Sequence, residues 1–395
     1  MAERRKRPAP PAVAGALYAS VLKTGFQATT TRVQEMHHAI ADKTFDALQQ
    51  LPGLSGPARL VHGAHDAITH GVYAAVRQGG AAALTLAGVA ERLTVDPSRQ
   101  PVGKELALRS ALNATVGDAL LDAGSGLAIQ MGFHAEGAPL LLTRNGLANL
   151  GERVCVFVHG LGCDEHSWSA SAGRADYAAL LAVDLGMSAI YLRYNSGLPL
   201  ADNARQFAAL LQRLTKAAPR LRELVLIGHS MGGLVARGAC ECASADGSAW
   251  LDRVRMVICL GTPHQGAPLE KIGRWVSKAL AVSDVTRPLG RIANSRSQGI
   301  KDLRDGLQDR VGRPLSRVPL RFVVGHLGDA SDGVLGSAIG TLLGDGLVRS
   351  GSASDDGLSG DVRRVELAGL GHMALLNEPR VYAVIRDWLR DAPRA

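Results

Sequence analysis

The sequence predicts an α/β protein: a mostly parallel sheet with helices on both faces, an inserted cap, and a helical region ahead of it. Three observations carry that prediction. From about residue 150 onward, short and nearly continuous apolar runs alternate with helical patterns, as the strands of a buried parallel sheet do. One of these runs ends in Gly-x-Ser-x-Gly and passes directly into a helical pattern. Ahead of Gly124-Ser125-Gly126, apolar residues recur at helical spacing and no strand pattern is present.

In chain order, Val33, Met36, Ile40, Phe45 and Leu48 mark a first helix that ends at Leu51-Pro52-Gly53. Val61, His65, Ile68, Val72 and Val76 mark a second, predicted to stop at Gly79-Gly80. Residues 104–122 make a third. The apolar stripes are predicted to face a small helical core, because the opposite faces carry both signs of charge, which disfavours helices lying on a membrane. Residues 1–125 are therefore set apart as a helical region without an assigned role, and 126–395 as a second, α/β domain.

That domain begins with an expected β-hairpin, 127–133 and 139–143. Strands follow at 154–158, 189–192, 224–227, 256–260, 321–324 and 362–367, with helices at 201–217, 231–243 and 379–390. Between the fourth and fifth of these strands little strand character remains, so about 264–318 is expected to form a cap over the site. Its apolar residues Ile272, Trp275, Val276 and Leu280 either line a pocket under that cap or pack onto the domain.

The composition excludes some classes. With 46% hydrophobic and 20% charged residues the chain can bury a large core and is not a disordered protein. The longest stretch without a charge, Pro8 to Leu22, contains three prolines and is too short to span a bilayer. The formal charge of +8 is concentrated in two places. The start (Glu3, then Arg4, Arg5, Lys6, Arg7) carries +3. Residues 287–321 hold nine basic side chains against Asp302, Asp305 and Asp309, or +6, so the remainder is −1. A nucleic-acid-binding surface is not indicated. The +6 patch reads either as a solvated helical face or as a peripheral contact with anionic lipid headgroups.

Five cysteines (Cys155, Cys163, Cys240, Cys242, Cys259) include no CxxC pair and suit free thiols in a reducing compartment. The basic start and the apolar run 12–22 lack a clean cleavage site, so the expected location is cytoplasmic, with membrane contact peripheral at most.

The chemistry centres on Gly228-His229-Ser230-Met231-Gly232-Gly233 after an apolar strand. A serine on so sharp a strand-to-helix turn leaves no room for Cβ atoms two residues to either side, hence Gly228 and Gly232. The new helix would offer the Met231 N–H and a favourable dipole to a developing oxyanion. Upstream, a strand ends in His159-Gly160-Leu161-Gly162, a turn able to aim the Leu161 N–H at the same oxyanion. His159 is read as anchoring that loop rather than moving a proton. The base is expected after the last strand, where His372 stands in Gly369-Leu370-Gly371-His372. Other histidines lack that context. His62 and His65 are three apart, but two histidines without a carboxylate make a poor metal site. The acid that would orient His372 is left among Asp329, Asp332 and Asp345, with spacing alone favouring Asp329.

Over residues 150–390 the chain resembles α/β-hydrolases of the lipase and esterase type, similar to bacterial triacylglycerol lipases and GPI inositol-deacylase-like hydrolases. The matching segments are Val158-His159-Gly160-Leu161-Gly162, Gly228-His229-Ser230-Met231-Gly232-Gly233, Gly261-Thr262-Pro263-His264-Gln265-Gly266, Gly344-Asp345-Gly346-Leu347-Val348 and Gly371-His372. The resemblance implies an α/β-hydrolase fold, Ser230 as nucleophile, His372 as base, Asp345 as acid, and an oxyanion hole from Leu161 and Met231. It implies no redox cofactor or catalytic metal, and an acyl-ester or lipid substrate. The stretch 325–344 departs from the pattern and keeps Asp329 and Asp332 open. An acyltransferase or thioesterase could use the same residues. A non-catalytic binding protein is disfavoured by the ordered Ser, acid and His, and Ser230 itself argues against aspartate-nucleophile reactions.

Overall fold

The computed structural model describes residues 18–50, 55–94, 100–169, 174–267, 297–305, 315, 317–327 and 360–391. They fall into two compact units, the first ending at Gln100 but including Gly124–Leu127, the second comprising Pro101–Ala123 and the chain from Ala128 onward.

The first unit is built on two long helices, α1 (Tyr18–Gln49) and α2 (Ser55–Thr94). Lys23 Nζ donates to Thr85 Oγ1 at 2.9 Å, while His62 meets Asp42, so the helices run antiparallel. Gly79-Gly80 does not end α2, contrary to the sequence expectation. A Cβ on Gly80 would lie 2.1 Å from Phe26 Cε1, so glycine here admits the ring of the facing helix. The following Ala81-Ala82-Ala83 restores helix propensity. The expected core-facing stripe is also corrected. Met36, Ile40, Ile68 and Val72 are exposed, and so are Val33, Leu48, Val61 and Val76. The helices meet instead through polar and aromatic groups, among them Gln34, His37, Tyr73 and Arg77.

The second unit holds an eight-stranded sheet in the order β2-β1-β4-β3-β5-β6-β7-β8. Its strands are β1 (Gly132–Ala135), β2 (Ala138–Pro139), β3 (Arg153–Val158), β4 (Ser188–Arg193), β5 (Glu223–His229), β6 (Val254–Leu260), β7 (Leu320–His326) and β8 (Val362–Ala368). Pairing is parallel from β4 through β8 and antiparallel at β1. The initial hairpin is much shorter than its sequence suggests. Glu136 and Gly137 turn with φ of 50° and 77°, and Pro139 has no N–H to extend the ladder.

Successive strand residues serve opposite cores. Val154, Val156 and Val158 of β3 face one side, with Leu224 and Leu226 of β5. They meet α5 (Leu200–Ala217) and α6 (Met231–Asp246), which bring Phe207, Leu211, Leu234 and Val235. Cys155, Phe157, Val225 and Ile227 face the other side. There α4 (Tyr177–Leu185) and the C-terminal helix Pro379–Asp391 bring Tyr177, Leu181, Ile385 and Leu389. Coverage of both faces is why β3 and β5 read as nearly unbroken apolar runs, whereas the edge strand β8 carries the exposed Arg363 and Arg364. α4 was not foreseen, although its ends carry ordinary signals: Asp176 accepts from Ala179 N–H and Gly186 closes the helix at φ 63°.

α3 (Gly103–Asp122) groups with the sheet. It is interrupted at Val116 (φ −138°), and the next residue, Gly117, lies so close to Asn195 that an added Cβ would be 2.0 Å from Oδ1. Asn195 Nδ2 donates to the Gly117 carbonyl at 2.9 Å, which ties α3 to the loop after β4. Of the expected cap, residues 268–296, 306–314 and 316 lie outside the described residues, and with them Ile272, Trp275, Val276 and Leu280. The described part contains α7 (Gln298–Asp305), whose Ile300 and Leu303 are buried in the core and whose Asp302 accepts from Leu200 N–H at 2.8 Å. No helix among the described residues is long and apolar enough to cross a membrane.

Candidate active site

Ser230 stands between β5 and α6 at φ 53°, ψ −126°. Apart from the hairpin turn at Glu136 it is the only described non-glycine residue at positive φ. A serine is held there at a cost of about 1–3 kcal/mol, so the surrounding structure must impose it. The constraint is visible. Ser230 N–H donates to the Leu260 carbonyl at 2.9 Å, and its own carbonyl accepts from Gly233 N–H at 3.1 Å. A Cβ on Gly228 would sit 2.4 Å from Gly233 N, and one on Gly232 would sit 2.2 Å from the Val158 carbonyl oxygen. Gly160 faces the serine, with an added Cβ only 3.1 Å from Ser230 Cβ. The Gly-x-Ser-x-Gly spacing thus reflects crowding between three backbone segments.

Met231 is the first residue of α6, and Leu161 lies in the turn following β3; both side chains are buried. The Leu161 turn is pinned on both sides. Cys163 N–H donates to the Gly160 carbonyl at 3.2 Å, and Gly162 N–H donates to Ser196 Oγ at 3.0 Å. His159 is wholly engaged in this scaffold. Its Nδ1–H donates to the Gly160 carbonyl at 2.9 Å, its Nε2 accepts from Tyr194 N–H, and its ring stacks on Tyr194 at 4.4 Å. Burial keeps it neutral by lowering its pKa.

His372 begins the short helical turn His372–Leu376 after β8 and is buried. Its backbone carbonyl accepts from His229 Nε2–H at 3.0 Å, and the two rings lie 4.6 Å apart. The chain end after the last strand is thereby held against the residue preceding Ser230. Asp345, Asp329 and Asp332 all lie outside the described residues.

Sequence reasoning missed several groups around the serine turn. Within α6, Arg237 pairs with Glu241 at 2.7 Å and reaches His264 Nδ1 at 3.3 Å, all three buried. Burial, reinforced by Arg237, drives the His264 pKa well down. The cue was an Arg and a Glu four apart in an otherwise apolar helix. Behind the Leu161 turn, Arg193 grips Glu165 with two nitrogens. Burial alone would raise the Glu165 pKa, but Arg193 brings it below the ordinary value. Neighbouring His134 is pushed down to about 4, by burial first and Arg193 second. None of the five cysteines forms a disulfide, and burial raises the thiol pKa of Cys155, Cys240 and Cys259, which makes them inert.

The sheet order, with the serine turn between β5 and α6, is that of an α/β-hydrolase fold. Residues 192–288 match the family model described as a PGAP1-like alpha/beta domain, which spans the turn itself. No curated protein matches the chain. Among solved structures, it is similar to the mature lipase BlEst2 of Bacillus licheniformis, with 21% identity over 60% of this chain and 91% of that one, at a TM-score of 0.43. A thermophilic esterase from Thermogutta terrifontis gives 17% identity, 66% and 93% coverage and a TM-score of 0.36. The RedJ thioesterase of the prodiginine pathway in Streptomyces coelicolor gives 15% identity, 60% and 90% coverage and a TM-score of 0.37.

Proposed function

We propose that this protein is a serine hydrolase that cleaves carboxylic esters, of lipids or of other acyl compounds, through an acyl-enzyme intermediate. One observation carries the reading: Ser230 is forced to positive φ at a glycine-lined strand-to-helix turn, with His372 tied to the adjacent residue. In the proposed reaction His372 takes the Ser230 Oγ proton as the oxygen attacks the ester carbonyl carbon. The N–H groups of Leu161 and Met231 hold the resulting oxyanion. The C–O bond to the alcohol breaks, and His372 returns the proton to that leaving oxygen. Water, deprotonated by His372, then attacks the acyl-Ser230 carbonyl; the acid leaves and Ser230 regains its proton. Asp345 is the proposed acid behind His372, with Asp329 and Asp332 as alternatives.

A fluorophosphonate probe together with an ester series from short to long acyl chains tests the proposal. Ser230 should be labelled, and Ser230→Ala should lose both labelling and turnover. Folded protein that is neither labelled nor active on any ester overturns it. Acyl transfer to an added alcohol or thiol in preference to water would instead identify the transferase or thioesterase reading. A short-chain optimum unaffected by anionic vesicles would count against a lipid substrate and a membrane-surface partner. Of Asp345→Asn, Asp329→Asn and Asp332→Asn, the first should lose most turnover.

A further inference from the structure

The seam between α1 and α2 is the least expected feature of the first unit. Two long helices ordinarily join through apolar side chains, yet these leave their apolar stripe exposed and meet through histidines and aspartates. The sequence had set His62 aside for want of a carboxylate. The fold supplies two. His62 Nε2 lies 2.9 Å from Asp42 Oδ1 across the seam and 3.5 Å from Asp66 Oδ2 one turn along its own helix. One ring nitrogen carries at most one proton, so two carboxylates converge on a point that a single N–H cannot neutralise.

We propose that Asp42, His62 and Asp66 form a binding site for a divalent first-row transition ion of the zinc class, which clamps α1 to α2. The spacing suits this. Ligands at about 2.0–2.1 Å from a tetrahedral ion stand roughly 3.3 Å apart, the same range as the separations of 2.9 and 3.5 Å from His62 Nε2. The three donor atoms lie within 4.8 Å of one another. A mixed imidazole and carboxylate set favours zinc-class ions over calcium or magnesium. The fourth position falls to water.

The surrounding residues aim these donors. Phe45 stacks on the His62 ring at 4.4 Å. Tyr73 OH, His37 and His65 form a relay of hydrogen bonds ending on Asp66 Oδ1 at 3.2 Å, which fixes that carboxylate while leaving Oδ2 for the ion. His62 is partly exposed, so an ion can enter from solvent. The second grouping of this kind, Asp164, Glu165 and His166, is already accounted for by the Glu165–Arg193 pair and the Asp164 cap on its helical turn.

The test uses the full chain, stripped with chelator and titrated with Zn²⁺ by calorimetry at neutral pH. One ion per chain should bind, and Zn²⁺ should raise the melting temperature. His62→Gln and Asp66→Asn should each weaken binding by about tenfold or more, whereas Ser230→Ala should not. X-ray absorption at the zinc edge of wild-type protein gives a readout that needs no variant: a nitrogen and oxygen shell with imidazole scattering. Binding that is equally strong in the His62→Gln/Asp66→Asn double variant, equal affinity for Ca²⁺, or a zinc edge without imidazole overturns the site.

Discussion

His229 Nε2–H donates to the backbone carbonyl of His372 at 3.0 Å, with the two rings 4.6 Å apart. The residue that precedes the serine therefore holds the segment bearing the proposed base, although 143 positions separate the two in the chain. The proposed mechanism makes His229 a positioning residue.

His229→Phe keeps a ring against His372 but removes the hydrogen bond. The expected result is a fall in kcat of about tenfold to a hundredfold with KM little changed, since a misplaced base penalises the transition state more than substrate binding. Steady-state ester kinetics checks this, and an unchanged kcat would show that His372 is positioned without His229.

Ser230→Gly should stabilise the protein while abolishing turnover. The strain at φ 53° is relieved, less the extra unfolded-state freedom of glycine, for a net gain of roughly 1 kcal/mol. Ser230→Ala keeps the strained backbone and should unfold in urea at nearly the wild-type midpoint. A glycine variant no more stable than the alanine variant would mean that the turn is not strained.

Glu241→Ala removes the carboxylate that Arg237 meets at 2.7 Å in a buried pair and should destabilise the fold by about 1–3 kcal/mol. Replacing both residues with apolar ones, Arg237→Met and Glu241→Leu, should recover most of that loss. Denaturant unfolding of the two variants measures the difference.

Stability should fall on acidification from about pH 6.5 towards 4. His134 has a folded pKa of about 4, below its ordinary value, so the unfolded chain binds the extra proton in that window. This single proton contributes a slope of up to about 1.4 kcal/mol per pH unit. His159 and His264, also lowered by burial, act in the same direction. His134→Gln should flatten the slope measured by thermal unfolding across that range; an unaltered slope would assign the effect to other groups.

The strands and the serine turn were legible because their determinants are local. A parallel strand covered on both faces must be apolar at every position, as Val154 to Val158 is, and a turn crowded by three backbones must have glycine at 228 and 232. Helix ends were read less well. Gly79-Gly80 looks like a stop until Phe26 fills the space a side chain would need, and Phe26 is more than fifty residues away.

The sequence by itself determined the α/β class, the strand-to-serine-to-helix turn and the order of its candidate residues, since hydrophobic periodicity and steric demand act between near neighbours. Only the tertiary structure decided which distant groups meet. It brought His372 to His229, joined α3 to the sheet through Gly117 and Asn195, and carried Asp42 across to His62. Each of these contacts links segments that neither periodicity nor spacing relates. They exist because burying both faces of the sheet and closing the helical hairpin fixed where the chain returns.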